Sequence, residues 1–234
     1  MKKLILVLND LEGCGKSATA CALSHWMRDR EINHALVSSD DKATEDSFYT
    51  GYWDMEDLEV AQVISTLDKN DAVIVDVATG SARAWSDFCE AHEIDLLLSE
   101  LDVDMTLLIP EHPGERCHDE IIDLAELFTD QADYIIAHLP IEPRGCGAAK
   151  WKKSQAAKAI DYLGGQEINL PAMTSELETA LDSHGITLPE ALCDLANLPR
   201  FVEITATQWL ASAGKAFDKS VTYLVPEEAG LGTF

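Results

Sequence analysis

Residues 4–27 read LILVLNDLEGCGKSATACALSHWM, and this stretch decides the fold. Leu4–Leu8 is an unbroken apolar run, which is typical of a strand buried on both faces. The turn that follows carries Gly13 and Gly15, and helical spacing begins at Lys16. Glycines at this place let backbone N–H groups converge on an anion at the start of a helix, where the helix dipole favours negative charge. The pattern therefore predicts a strand, a phosphate-binding loop and a helix.

The side chains that close this loop suit a nucleotide and its metal ion. In the pattern G-x-x-x-x-G-K-[ST], a lysine such as Lys16 reaches the β- and γ-phosphates, and a hydroxyl such as that of Ser17 ligates Mg²⁺. The chain departs from the pattern at Asp10, which stands where the first glycine belongs, and the alternative is a turn whose glycines serve only packing. Because the loop follows an apolar strand and opens an Ala-rich helix, we favour phosphate binding. The residues assigned to the nucleotide here are Gly13, Cys14, Gly15, Lys16, Ser17 and Ala18.

Short apolar runs continue to alternate with helical patterns along the chain. Further strands are predicted at Ala35–Ser38, Ala72–Val77, Met105–Ile109, Tyr134–Ala137 and Gln166–Leu170. Further helices are predicted at Met55–Leu67, Ala82–Leu98, Glu115–Phe128, Ala148–Leu163, Thr174–His184 and Arg200–Phe217. Aliphatic runs without polar alternation favour a parallel sheet that is covered on both faces. We predict a doubly wound α/β fold with a mostly parallel sheet, helices on both faces and extra C-terminal helices.

The length and composition favour one domain in the cytoplasm. Its 234 residues fit a single domain, 1–234, in which 171–225 form a helical C-terminal elaboration. The chain has 17 basic and 42 acidic residues, and this formal charge of −25 argues against direct binding to nucleic acid. Its six cysteines form neither C-x-x-C pairs nor a short secreted framework, which favours reduced thiols. No apolar run is long enough for a membrane span, so we expect a cytoplasmic protein.

A second candidate element is residues 71–80, DAVIVDVATG. An acidic residue at the end of an aliphatic strand faces the ligand crevice of an open α/β sheet. Asp76 is therefore expected to hold Mg²⁺ directly or through water, and Gly80 to let the next loop approach the γ-phosphate. The alternative is that Asp76 caps the following helix. Its pairing with the loop at residues 13–17 favours the metal role.

Asn9–Ser17 resembles the deviant phosphate loop of the ParA/MinD-type ATPases, N-x-K-G-G-x-G-K-[ST]. That family serves plasmid partition, division-site placement and conjugative transfer. The positions that match are Asn9, Gly13, Gly15, Lys16 and Ser17. Leu11 replaces the signature lysine, which in the family crosses a dimer interface to the partner's nucleotide, and Glu12 replaces the first of the paired glycines. The resemblance implies ATP and Mg²⁺ as ligands and a nucleotide-dependent homodimer.

The resemblance also assigns roles further along the chain. Residues 76–80 resemble the family's D-x-x-x-G Walker B and switch region. Asp40 stands at the second aspartate of a D-x-D-P pattern and is expected to position the attacking water, although a solvated acidic turn fits equally well. His138 stands where the family has an adenine-reading asparagine, and the alternative is a strand-end histidine in a turn. The implied catalytic residues are Lys16, Asp40 and Asp76; the implied metal ligands are Ser17 and Asp76.

These observations favour an ATP-binding P-loop protein with weak Mg²⁺-dependent ATPase activity. It is expected to act as a switch that controls self-association or a protein partner, as in plasmid partition or conjugative transfer. One alternative is a small-metabolite kinase or ligase of the dethiobiotin-synthetase kind, for which the aromatic loop at residues 47–54 is the candidate substrate pocket. Another is a degenerate nucleotide-binding module without hydrolysis, which Asp10, Leu11 and Glu12 favour.

Overall fold

An all-parallel sheet of seven strands runs through the part of the chain that the computed structural model describes, residues 1–40, 48–111, 115–140, 150–193 and 195–226. The strands are β1 (Lys2–Val7), β2 (His34–Ser38), β3 (Gly51–Tyr52), β4 (Ala72–Asp76), β5 (Val103–Glu111), β6 (Asp133–His138) and β7 (Gln166–Asn169). Their spatial order is β3-β2-β4-β1-β5-β6-β7, and every pairing is parallel. The predicted doubly wound parallel sheet is confirmed.

Helices connect and cover these strands. They are α1 (Lys16–Asp29), α2 (Val60–Lys69), α3 (Ala82–Ala91), α4 (Ile94–Glu100), α5 (Glu115–Phe128), α6 (Gln155–Tyr162), α7 (Ser175–His184), α8 (Leu188–Cys193), α9 (Arg200–Phe217) and α10 (Val221–Leu224). Short 3₁₀ turns lie at Leu195–Asn197 and Asp218–Ser220. Within the described ranges, no helix combines the length and the apolar character that a bilayer crossing requires.

The central strand β1 sends alternate side chains into two cores. Leu4 and Leu6 belong to one core, whereas Ile5 and Val7 belong to the other, as the two-residue period of a strand requires. The first core contains side chains of α2, α3, α4, α5 and α6. The second contains α1 and the helices α7 to α10, and α1 packs directly on α8 and α9. The C-terminal helices therefore cover the same face of the sheet as the helix that follows the phosphate loop.

Parallel pairing brings the two candidate elements of the site together. In the register of β1 and β4, Val7 lies opposite Asp76, so the phosphate loop leaves the sheet beside the predicted metal ligand. On the other side β1 pairs with β5, with Val7 opposite Leu108. The carboxyl ends of β1, β2 and β4 thus form one edge of the sheet, which is where ligands bind in open α/β folds.

Several predicted elements differ from the structure. The predicted helix Ala82–Leu98 is two helices, because Glu93 adopts a left-handed backbone with φ 47° between α3 and α4. The predicted helix Met55–Leu67 begins later than expected, at Val60. Of the predicted helix Ala148–Leu163, residues 148–149 lie outside the described residues, Lys150 and Trp151 are helical, and α6 begins after a Ser154 cap that accepts from the Ala157 N–H. Strand β3 and helix α8 were not predicted.

Candidate nucleotide-binding site

The phosphate loop ends in an open helix N-terminus. Gly15 is the N-cap of α1 with φ 86° and ψ 18°, and Gly13 also has a positive φ of 70°. An L-residue at either position would be strained, and a Cβ on Gly15 would lie 2.6 Å from Leu139 Cδ1. No side chain caps α1, and its first turn holds no acidic residue. Its N-terminal N–H groups and the positive end of its dipole therefore suit an anion.

Lys16 places a buried ammonium group in this loop. Its side chain is only 8% exposed, and Nζ donates to the Leu11 carbonyl at 3.1 Å and to Thr79 Oγ1 at 2.9 Å. Cys14 Sγ lies 3.8 Å from the same nitrogen. The described residues provide no carboxylate within salt-bridge distance of Lys16, although Asp76 interacts with it electrostatically. A buried charge with neutral partners is costly, so an anion here is stabilised.

Three oxygen-bearing side chains meet beside Lys16. Asp76 at the end of β4 is 4% exposed, and its Oδ2 accepts a hydrogen bond of 2.5 Å from the Tyr49 hydroxyl. The Ser17 hydroxyl is within hydrogen-bonding reach of both Asp76 and Tyr49. Mg²⁺ is bound through carboxylate and hydroxyl oxygens together with phosphates, so the donor set of Ser17 and Asp76 fits this ion.

Burial controls the protonation of this group. It raises the pKa of Asp76, against the hydrogen bonds from Tyr49 and Ser17 and the charge of Lys16, which lower it. The Asp40 carboxyl raises the pKa of Asp76 further, so the two acidic side chains are close enough to interact. Burial and the neighbouring Asp76 raise the pKa of Tyr49 as well, so its hydroxyl stays protonated.

A cavity of about 360 Å³ joins the candidate residues. It is lined by Gly13, Cys14, Gly15, Lys16, Ser17, Ala18, Asp40, Asp76, Val77, Thr79, Leu188 and Pro189. Its volume lies within the usual range for small-molecule sites, roughly 300–1,000 Å³. The structure thus brings together the predicted loop, Asp40 and Asp76. Leu188 and Pro189 come from the start of α8, and nothing in their local sequence marks them as site residues.

Asp10 has a role that its sequence position did not reveal. Its Oδ1 accepts hydrogen bonds from the N–H groups of Gly80 at 3.0 Å and Ala82 at 3.2 Å. It therefore caps α3 from across the chain, whereas the local N-cap residue Ser81 makes no capping hydrogen bond. Because this position holds aspartate and not glycine, hydrogen bonds connect the phosphate loop to the loop that follows β4. The sequence feature that could have indicated this role is a carboxylate placed two residues after the apolar run Leu4–Leu8.

Asn9 and Leu11 hold the beginning of the loop. The buried Asn9 side chain donates from Nδ2 to the Pro110 carbonyl at 2.8 Å, and its Oδ1 accepts from the Leu11 N–H at 2.9 Å. Leu11 is half-buried and packs against the first core, while Glu12 is exposed. The residue in place of the family's signature lysine therefore contacts this chain's own interior.

His138 lies in a network of charged side chains at the ends of β5, β6 and β7. Its Nδ1 is 2.7 Å from Glu111 Oε2 and its Nε2 is 3.1 Å from Glu167 Oε2. The Trp151 ring stands edge-on to the imidazole at 5.2 Å. His138 does not line the cavity described above, and both of its ring nitrogens are engaged. Its role in reading the base stays a prediction.

No protein-family model matches the chain, and no curated protein sequence does. A plasmid partition protein from Borrelia burgdorferi B31, bound to AMPPNP, is similar in structure with a TM-score of 0.54 and 11% identity over 94% of this chain and 98% of that one. The MinD cell division protein of Aquifex aeolicus gives a TM-score of 0.51 and 12% identity over 94% and 97%.

Identities this low concern the fold and not the individual site residues. The agreement extends over nearly the whole of each chain. The chain has the fold of the ParA/MinD-type P-loop ATPases, as the resemblance of Asn9–Ser17 implied.

Proposed function

We propose that this chain binds ATP as its Mg²⁺ complex in the cavity at the start of α1. The observation that carries the proposal is the buried Lys16 ammonium, which has only neutral hydrogen-bond acceptors and lies beside the uncapped N-terminus of α1. The backbone of residues 13–18 would hold the phosphates, and Lys16 would turn from Leu11 and Thr79 to the β- and γ-phosphate oxygens. The anion would then accept the hydrogen bonds that Lys16 now donates to Leu11 and Thr79.

Ser17 and Asp76 would hold Mg²⁺, which neutralises phosphate charge and orients the phosphates when it is bound. Asp40 lines the same cavity and interacts electrostatically with Asp76, which supports a role in holding a water for attack on the γ-phosphate. Phosphoryl transfer depends mainly on positioning and charge stabilisation, so these few groups are enough for slow hydrolysis. We propose weak ATPase activity on this basis.

The hydrolytic cycle would serve as a switch in the cytoplasm. Its output is self-association or a protein partner, as in plasmid partition or conjugative transfer. Leu11 packs against this chain's own core, so a homodimer would form without the lysine contact of the family. The formal charge of −25 disfavours nucleic acid as a direct partner and favours a protein.

Two observations bear on the alternative functions. The candidate substrate loop of a metabolite kinase is packed into the fold, since Trp53 is 2% exposed and Gly51–Tyr52 forms β3. This packing disfavours the kinase. A module that binds nucleotide without hydrolysis is favoured by the Tyr49 hydroxyl on Asp76, because that contact uses an oxygen that the metal needs.

Calorimetric titration tests the proposal. We expect wild-type protein to bind ATP with Mg²⁺ at micromolar Kd, and Lys16→Ala to lose about 10- to 100-fold in affinity, the size of one or two charge-assisted hydrogen bonds. Titrations with ADP and GTP rank the nucleotides. Lys153→Ala, which removes an exposed lysine elsewhere, is the matched control and should bind like the wild type. Absence of ATP binding by the wild type, or equal binding by Lys16→Ala, overturns the proposal.

A further inference from the structure

The Tyr49 hydroxyl occupies a carboxylate oxygen on which the proposed metal site depends. It donates to Asp76 Oδ2 at 2.5 Å, and the Ser17 hydroxyl is within hydrogen-bonding reach of the same phenol. A neutral phenol is a poor ligand for Mg²⁺, which prefers carboxylate, phosphate and water oxygens. An ion that binds Asp76 therefore competes with the Tyr49 hydroxyl for the lone pairs of Asp76 Oδ2.

We propose that Tyr49 is a gate residue of the metal position: its hydroxyl holds Asp76 until Mg²⁺ and nucleotide displace it, and its departure loosens β3. This inference rests on the proposed function, because it concerns Asp76, one of the proposed metal ligands. It adds a residue that neither the phosphate-loop pattern nor the D-x-x-x-G pattern contains. It also connects the site to an edge of the sheet.

The connection to β3 follows from the short distance along the chain. Tyr49 lies two residues before Gly51–Tyr52, a two-residue strand at the edge of the described sheet that pairs only with β2. The backbone on either side is held by the Thr50 N–H on the Leu36 carbonyl at 2.7 Å and the Trp53 N–H on the Ser38 carbonyl at 2.9 Å. The Thr50 hydroxyl also donates to the Leu36 carbonyl at 2.9 Å, so residues 50–52 are held by β2 on one side while Trp53 anchors their end in the core. A segment that pairs on one side opens at lower cost than a central strand.

The Tyr49 ring is also part of the packing of this segment. Its centroid lies 4.5 Å from that of Phe48, and both rings pack against the core that contains α1. Movement of the phenol away from Asp76 therefore alters the support of the segment that leads into β3. Edge strands pair readily with other chains when their backbone groups are freed. Metal binding would therefore change the structure of the protein surface at this edge of the sheet.

The opposite role for the same contact makes a different prediction. If the phenol positions the Asp76 carboxylate for the metal, its removal weakens binding of the Mg²⁺ complex. If it is a gate, its removal strengthens that binding. The sign of the change therefore decides between the two roles.

Calorimetry with Tyr49→Phe measures this sign. We expect ATP to bind about tenfold more tightly than to wild type in Mg²⁺, which is the worth of one hydrogen bond to a charged group, and equally in EDTA. Tyr162→Phe, which changes a tyrosine that is 90% exposed, should bind like the wild type. Equal or weaker binding by Tyr49→Phe overturns the gate while leaving the proposed function in place. If neither protein binds ATP, both proposals are wrong.

Hydrogen exchange on the wild-type protein tests the gate without a substitution. Bound ligands usually slow exchange, but release of Tyr49 should make the amides of residues 48–53 exchange several-fold faster when Mg²⁺ and ATP are added. ATP in EDTA should leave these amides unchanged. Unchanged or slower exchange with Mg²⁺ overturns the gate. Thermal unfolding of Tyr49→Phe alongside the wild type shows that the variant is folded.

Discussion

The polar side chains of the candidate site already have hydrogen-bond partners within the protein. Lys16 donates to Leu11 and Thr79, and the Asp76 carboxylate accepts from Tyr49. Each of these hydrogen bonds would have to be exchanged for one with the proposed nucleotide, so the net gain from binding would be the difference between the two sets. This exchange explains how a site can contain the required residues and still have its affinity limited by the protein itself.

His138 gives a residue-scale prediction about pH. Burial alone lowers its pKa, but hydrogen bonds to Glu111 and Glu167 and their negative charges outweigh burial and raise the pKa overall. The protonated ring therefore stabilises the folded protein fully below the unfolded pKa of about 6.5, and this stabilisation is lost as the pH rises through the folded pKa. We expect His138→Gln to lose about 2 kcal/mol of unfolding free energy at pH 5.5 and much less at pH 9.

Urea unfolding of wild type and His138→Gln at pH 5.5, 7 and 9 measures this difference. His92→Gln is the control, because His92 is exposed and outside the network. Its effect on the free energy of unfolding should be small at every pH. A cost of His138→Gln that stays constant or grows with pH would show that the ring is neutral in the folded protein.

At the scale of elements, Asp10 couples the phosphate loop to α3. Its carboxylate accepts from the Ala82 N–H, which has no partner within that helix, and from the Gly80 N–H two residues before the helix begins. We expect Asp10→Ala to cost about 1 kcal/mol of unfolding free energy, the usual value of an N-cap. The amides of residues 80–85 should exchange faster, as measured by hydrogen exchange with mass spectrometry.

A cap on another helix supplies the matched control for Asp10. Ser154 caps α6 through the Ala157 N–H at 3.0 Å, so Ser154→Ala should speed exchange in α6 and leave α3 unchanged. Asp10→Gly restores the glycine of the full phosphate-loop pattern and should lose the same cap. Exchange in α3 that is equal in Asp10→Ala and wild type would contradict the capping role.

The sequence predicted elements best where the pattern itself is local. The strand predicted at Ala72–Val77 is observed at Ala72–Asp76, and the helix predicted at Arg200–Phe217 is observed with the same bounds. The break at Glu93 was missed because its left-handed backbone falls on a residue other than glycine, and no glycine or proline marks it. Strand β3 was missed because two residues are too few to show alternation.

The residues of the candidate site also divide into those that the sequence predicted and those that it did not. The predicted loop, Asp40 and Asp76 meet at one cavity because parallel strands place their carboxyl ends together. Tyr49 and the start of α8 could not be assigned, because their contribution depends on how distant segments pack and not on a spacing in the sequence. Asp10 was recognised only as a departure from a pattern, while its hydrogen bonds to Gly80 and Ala82 required the folded chain.

At the scale of the whole molecule, the charge acts against the proposed ligand. A chain with 42 acidic and 17 basic residues repels free nucleotides, and at physiological salt this repulsion acts within about a Debye length, roughly 8 Å, of the surface. Only the local field of Lys16 and the α1 N-terminus then attracts the phosphates. The Mg²⁺ complex of ATP carries less negative charge than free ATP, so it is the form that this protein opposes least.

The two cores are joined by the sheet, and this arrangement predicts one cooperative transition. Leu6 and Val7 are neighbours in β1 but belong to different cores, so loss of either core exposes the same strand. Phe128 in one core and Phe217 in the other are both fully buried. We expect Phe128→Ala and Phe217→Ala each to reduce the free energy of unfolding by about 3–5 kcal/mol, through lost burial and the cavity that remains.

Urea unfolding followed by far-ultraviolet circular dichroism and by tryptophan fluorescence tests whether residues 1–234 form one domain. Both probes should show a single, coincident transition in the wild type, and both substitutions should shift that whole transition to lower urea. Phe201→Ala is the control on the same helix as Phe217, and because Phe201 is 55% exposed it should change the free energy by less than about 0.5 kcal/mol. If Phe217→Ala moved only part of the signal, the helices after residue 171 would be a separate unit, and the α1 face of the sheet would have to be stable without them.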